Sequence, residues 1–197
     1  AAEDAGAYVM VHVYVPEAIR RAIRAGVKSI EHGQLIDEPT MKLIAEKGVW
    51  LSMQPFIGEG NNHYTNPVQQ AKHELVVQGT DRAYQLAKKY GVKLAWGTDL
   101  LFSPANARNQ NLNIEKMPRW FSNFEILKMI PHDNAELLAL SGRRNPYPGK
   151  LGVIEEGALA DLIVVDGNAL EDIKVLTDPG KNMLLIMKDG KIYKNDL

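Results

Sequence analysis

Two histidines and one aspartate stand where a parallel α/β sheet would put its chemistry: His12, His32 and Asp99. Each falls at or near the C-terminal end of a run that reads as a β-strand. In such a sheet the loops beyond those ends form the active face, so successive βα units would aim all three at one place. Two imidazoles and one carboxylate make a set that catalytic zinc accepts while keeping a fourth position for water. Water held there falls to a pKa of about 7 and becomes a nucleophile. Taken one at a time, each residue has a plainer explanation: a strand histidine satisfied in the core, or an aspartate serving as an N-cap or turn residue. The sequence contains no cysteine, which removes thiolate ligands and disulfides together, so any metal would be held by histidine and carboxylate.

The elements that must position these residues follow from periodicity and punctuation. Tyr8-Val9-Met10-Val11-His12-Val13 is a short apolar run of the kind a parallel strand buried on both faces shows. Pro16 opens a helix with a stripe of Ala18, Ile19, Ala22 and Ile23, and Gly26 ends it. Val27 to His32 is the next strand, stopped by Gly33. Asp37 is the expected N-cap of a second helix, which Gly48 terminates, and Val49 to Met53 is a third strand. A strand–helix repeat of about 20 residues is the signature of a parallel sheet with covering helices. The spaced-leucine consensus of a leucine-rich repeat is missing. Residues 55–65 read as a loop, Asn66 to Tyr90 as a long helix closed by Gly91, and Val92 to Asp99 as a fourth strand. After an irregular stretch at 100–118, helices are expected over roughly 119–130 and 133–141. From Asn145 the texture is turn-rich, with strands at 160–165 and 183–187 and an Asp189-Gly190 hairpin turn. These features place a boundary near residue 143, dividing the chain into 1–143 and 144–197.

The words around the three polar residues carry a family resemblance. Val11-His12-Val13-Tyr14, followed by Pro16-Glu17-Ala18-Ile19, resembles the fifth-strand motif of the amidohydrolase superfamily, in its imidazolonepropionase-like and prolidase-like branch. Ala25-Gly26-Val27-Lys28-Ser29-Ile30-Glu31-His32-Gly33 resembles its sixth-strand motif, and Trp96-Gly97-Thr98-Asp99 its eighth-strand Gly-Thr-Asp. Asn134 to Leu140 looks like the helix after the barrel. Leu151 to Leu162 and Met187 to Lys191 look like the return into a β-sandwich and its closing hairpin. The resemblance covers nearly the whole chain in the family's order.

It implies an α/β fold: the C-terminal half of a (β/α)8 TIM barrel, strands five to eight, followed by part of a small β-sandwich. It also implies that His12 and His32 bind one divalent metal, most simply zinc. Asp99 would bind the other ion or the only one, and would carry a proton from the attacking water to the leaving group. A carboxylate touching both can make that transfer. The superfamily's first-strand His-x-His and its fourth-strand bridging ligand are not in this sequence, and a complete barrel is typically about 250 residues. The chain lacks an initiator Met and opens on what reads as the last turn of a helix, so it is expected to be cut from something larger.

Lesser candidates lie on the same predicted face. Tyr14, two residues past His12, and Arg108 and His63, in the loops after the fourth and third strands, are expected to contact substrate, Arg108 by clamping a carboxylate. Arg119 is a weaker candidate for the same role, and His73 reads as an exposed helix position. Glu31 adjoins His32, but strand alternation should point it the other way.

The expected activity is metal-dependent hydrolysis of an amide-type C–N bond in a small molecule: a dipeptide, an N-acyl amino acid or a cyclic amide. The rival is a non-catalytic half-barrel that folds only by association, in a homo-oligomer or with a complementary N-terminal half. A net charge of −1 offers no field for nucleic acid or an anionic membrane. No apolar run reaches the roughly 18 residues of a membrane span. Absence of cysteine suits a reducing compartment, and a cytoplasmic location is expected.

Overall fold

Asp37 starts a helix through its side chain and Gly48 stops it by having none. The Asp37 carboxylate accepts the Thr40 backbone N–H at 2.9 Å, and Gly48 takes a left-handed conformation at φ 62° that costs a glycine little. Asn66 caps the long helix in the same way, accepting from Val68 and Gln69, and Gly91 closes it at φ 61°. The computed structural model describes residues 1–58, 64–100 and 107–197, which divide into two units, Ala1–Gly97 and Thr98–Leu197.

In the first unit strands and helices alternate: β1 (Met10–Val13), α1 (Pro16–Arg24), β2 (Ser29–His32), α2 (Glu38–Lys47), β3 (Trp50–Met53), α3 (Pro67–Tyr90) and β4 (Leu94–Trp96). The strands lie in chain order and all neighbours are parallel. The expected βα repeat is therefore present, and it makes a mixed α/β fold. Ile30, Leu51 and Met53 are fully buried, as are Ile19, Met41, Ile44, Ala83 and Ala87 from the three helices. Each such Ile, Leu or Met side chain removed from water contributes about 1.5–3 kcal/mol, so this layer holds the unit together.

Two expectations about strands need correction. β1 is not buried on both faces: Met10 is 47% exposed and His12 is exposed too. The physical reason is that β1 is an edge strand, paired only with β2 among the described residues. The fourth strand ends at Trp96 rather than Asp99, because its pairing partner β3 ends at Met53, opposite Trp96, and Asp99 itself takes a left-handed φ of 52°.

Arg20 of α1 reaches across to the start of α2, bonding Asp37 at 3.2 Å and the Thr40 hydroxyl at 2.5 Å. Partial burial alone would raise the Asp37 carboxyl. Its hydrogen bonds to the Thr40 hydroxyl and backbone N–H and to the Arg20 guanidinium outweigh that and hold it below the ordinary aspartate value. A carboxyl with a depressed folded pKa contributes stability above its unfolded pKa and loses it as pH falls through the folded value. Asp37→Asn keeps the cap but removes the charge. Urea unfolding should therefore show a wild-type advantage at neutral pH that closes below about pH 4.

In the second unit, 3-10 turns run over Gln110–Arg119. A short α-helix, Asn123–Lys128, follows under a capping box of Ser122 and Glu125. A π turn, Met129–Asp133, then runs into the α-helix Asn134–Ala139. The two helical segments expected over 119–130 and 133–141 are thus present, shorter than expected and joined by the π turn. Pro131 has no N–H to close an i to i−4 bond, and the chain widens where that bond would be. Beyond lie β5 (Leu162–Val165), β6 (Met183–Lys188) and β7 (Lys191–Asn195), an antiparallel sheet in that order. Asp189 and Gly190 join β6 to β7 at φ 49° and 72°, the two positive angles that the expected Asp-Gly turn requires. Asn111 and Asn123 donate to the carbonyls of Leu176 and Leu170, tying the helical segment to the tail. No helix among the described residues is long and apolar enough to cross a membrane.

Candidate metal centre

Register alone would separate the two histidines. Across the β1–β2 pair, His12 lies opposite Glu31, and His32 lies opposite Val13. Side chains alternate along a strand, so Glu31 shares the face of His12 while His32 should point to the other. The bond from the Ser29 hydroxyl to the Glu31 carboxylate at 2.6 Å confirms that residues 29 and 31 point together. The Glu31 charge also adds to burial in holding the Tyr8 phenol above its ordinary value.

His32 escapes the alternation through its backbone. Its φ is 82°, a left-handed conformation that costs a non-glycine residue about 1–2 kcal/mol. Gly33 follows at 73°, and a Cβ there would stand 2.8 Å from the Leu51 side chain. The turn brings the His32 ring edge-on to that of His12, with centroids 4.5 Å apart. Tyr14 closes the group, stacked on His32 at 4.7 Å and edge-on to His12 at 5.2 Å. The structure therefore brings His12, His32 and Tyr14 together at the C-terminal end of β1 and β2.

His32 is buried, 5% exposed, and its Nδ1 lies 2.7 Å from Gln54 Oε1. Gln54 directly follows β3, and Gln34, fully buried, donates its amide to the same oxygen at 3.4 Å. Neither glutamine was among the sequence candidates. The signal was present: both are polar residues just past strand ends, the rule that selected His12, His32 and Asp99. It was applied only to ionisable types.

The pair fits a divalent cation as two of its ligands. Imidazole nitrogens suit zinc and its neighbours, and a second-nitrogen bond of the kind His32 makes is what ligating histidines use to fix their orientation. Asp99 lies in the second unit, exposed, three residues past the end of β4 in the chain. Arg108 is exposed in that unit, before the 3-10 turns, and Arg119 stands over the Trp120 ring at 5.8 Å. His63 lies outside the described residues. His73 is half-buried rather than exposed, because its ring rests against Tyr64 at 5.4 Å.

One other cluster has ligand-like spacing. His132, Asp133 and Glu136 have donor atoms within 4.8 Å of one another, the one group of three found among the described residues. Asp133 already accepts from Lys128 and from the His132 ring, and Glu136 is exposed. An incoming cation would have to displace an ammonium, so this cluster is an ion-pair network at a helix turn.

Known proteins similar to this chain are hydrolases. The ochratoxinase of Aspergillus niger is 32% identical over 190 residues, covering 94% of this chain and 38% of that protein. A crystal structure of an amidohydrolase superposes with a TM-score of 0.86 at 35% identity, covering all of this chain and 46% of that one. A prolidase solved with N-methylphosphonate-L-proline gives 0.81 at 33% identity, covering 98% of this chain and 47% of that one. The chain thus spans less than half the length of these relatives. The sequence profile described as the Amidohydrolase family matches residues 1–193, and the chain belongs to that family.

Proposed function

We propose that this chain carries part of the active site of a metal-dependent hydrolase acting on an amide-type C–N bond. The observation that carries this reading is the meeting of His12 and His32 at 4.5 Å, achieved through a strained backbone at His32 rather than by strand alternation. Strain kept at a polar cluster favours a functional use. A divalent ion, most simply zinc, would be held by the two imidazoles and would supply a Lewis acid that polarises a carbonyl and makes water nucleophilic near neutral pH. Asp99 would take the proton from the attacking water and deliver it to the departing amine. Tyr14 walls the site beside the rings, and Arg108 and His63 are assigned to the substrate, Arg108 through a bidentate hold on a carboxylate.

The strands are read as five to eight of an eight-stranded barrel within residues 1–143, with residues 144–197 as a portion of a β-sandwich. The similarity to a prolidase bound to a proline phosphonate supports a dipeptide or N-acyl amino acid as substrate, with a cyclic amide as nearest rival. Zinc-loaded protein containing this chain, offered these three classes, should hydrolyse one of them. Asp99→Asn should lower kcat by about 100-fold to 10,000-fold with substrate binding retained. Full turnover in that variant would remove Asp99 from the chemistry.

A second reading is a non-catalytic half-barrel that folds by association, either with copies of itself or with a complementary N-terminal half. The open β1 edge, with Val9 43% and Met10 47% exposed, favours it. Zinc uptake without turnover of any of the three classes would select it.

A further inference from the structure

The left-handed backbone at His32 frees its ring from the pleat of the sheet, so something other than the strand must hold it. Tyr14 stacks on one face of the ring. A hydrogen bond comes from Gln54. We propose that Gln54, itself held by Gln34, is a positioning residue that keeps His32 in the Nδ1–H form, leaving Nε2 with the lone pair a divalent cation needs. This rests on reading His12 and His32 as ligands.

The direction of the bond follows from counting partners. Gln54 Oε1 lies 2.7 Å from His32 Nδ1 and 3.4 Å from Gln34 Nε2, and a carbonyl oxygen can accept two N–H groups. Gln34 Oε1 is then left as a buried acceptor with no hydrogen-bond partner. Reversing both amides would let the Gln54 amide donate to Nδ1 and to Gln34. It would also bury an unpaired NH2 where the Gln34 oxygen now sits. A buried donor without a partner is rarer than an under-satisfied carbonyl. The arrangement with one orphan acceptor is favoured, and it makes Nδ1 the donor. Gln34, at 0% exposure, and Gln54, at 5%, are out of reach of bulk water, so solvent does not readily take over this bond.

The test is made on the full 197-residue chain, metal-free and labelled with 15N in histidine, using long-range proton–nitrogen correlation at pH 8. His32 should show a protonated Nδ1 and an unprotonated Nε2 in the wild type and in Gln54→Glu, which keeps an acceptor. In Gln54→Met the ring should become a mixture of tautomers. Zinc affinity, measured by competition with a chelating dye, should fall about 10-fold to 100-fold in Gln54→Met and be largely retained in Gln54→Glu. An unprotonated Nδ1 in the wild type overturns the proposal. So does a Gln54→Met chain with the wild-type spectrum and wild-type zinc affinity. Should Gln54→Met not fold, the wild-type spectrum and the Gln54→Glu titration decide alone. A wild type that holds Nδ1–H yet takes up no zinc overturns the ligand reading while the hydrogen-bond assignment stands.

Discussion

Replacing His12 with alanine should lower zinc affinity by more than about 100-fold, beyond the range for losing an outer partner, while leaving stability within about 0.5 kcal/mol. The two parts separate because His12 is exposed on an edge strand and contributes little to the core. His32→Ala should match it in lost affinity but also unfold more easily, since it empties a buried position. It keeps the left-handed backbone cost too, because alanine gains nothing over histidine at φ 82°. Zinc titration calorimetry beside urea unfolding of both variants measures the contrast. Undiminished zinc binding in His12→Ala would sink the assignment of the pair.

The second large effect is expected far from the rings in sequence. A Cβ added at Gly79 in α3 would stand 2.2 Å from the Gln34 carbonyl oxygen and 3.0 Å from its carbon. Alanine in a helix interior normally gains about 1 kcal/mol over glycine. Here the obstructing atoms are backbone, which cannot rotate away, so the clash wins. Gly79→Ala should destabilise by about 3 kcal/mol, the upper end for overpacking. Gly58→Ala meets only a Val77 methyl at 3.8 Å and should be near neutral. Because the clash falls on Gln34, Gly79→Ala should also weaken zinc binding through Gln54. Urea midpoints for the two variants, with zinc titrations on the folded fraction, test both statements.

These residues also show what was legible beforehand. Asp37, Asn66, Gly48, Gly91 and Asp189-Gly190 act locally, through a side-chain acceptor or a positive φ, and each sits where its type placed it. The βα repeat was legible because its period is set by burial. The exposure of β1 was not, since an apolar run reads the same whether or not a neighbour covers it. The 3-10 turns around Pro118 and the π turn around Pro131 were not legible, since nothing local in the sequence chooses those turn types. At the site the histidines were legible by type, whereas their meeting depends on one dihedral angle that no spacing rule contains. Gln34 and Gln54 went unseen because a neutral amide matters only once its partner is in place.

That dihedral angle has an evolutionary consequence. Most active-site polar residues are held against a pull toward better-packing side chains, so a lineage that loses activity drifts toward hydrophobic replacements. At position 32 the left-handed backbone penalises nearly all of them alike, and glycine, or to a lesser degree asparagine or aspartate, relieves it. Descendants of this chain that have abandoned metal chemistry should therefore carry Gly, Asn or Asp at position 32. A histidine retained there would mark a lineage in which selection still acts on the site.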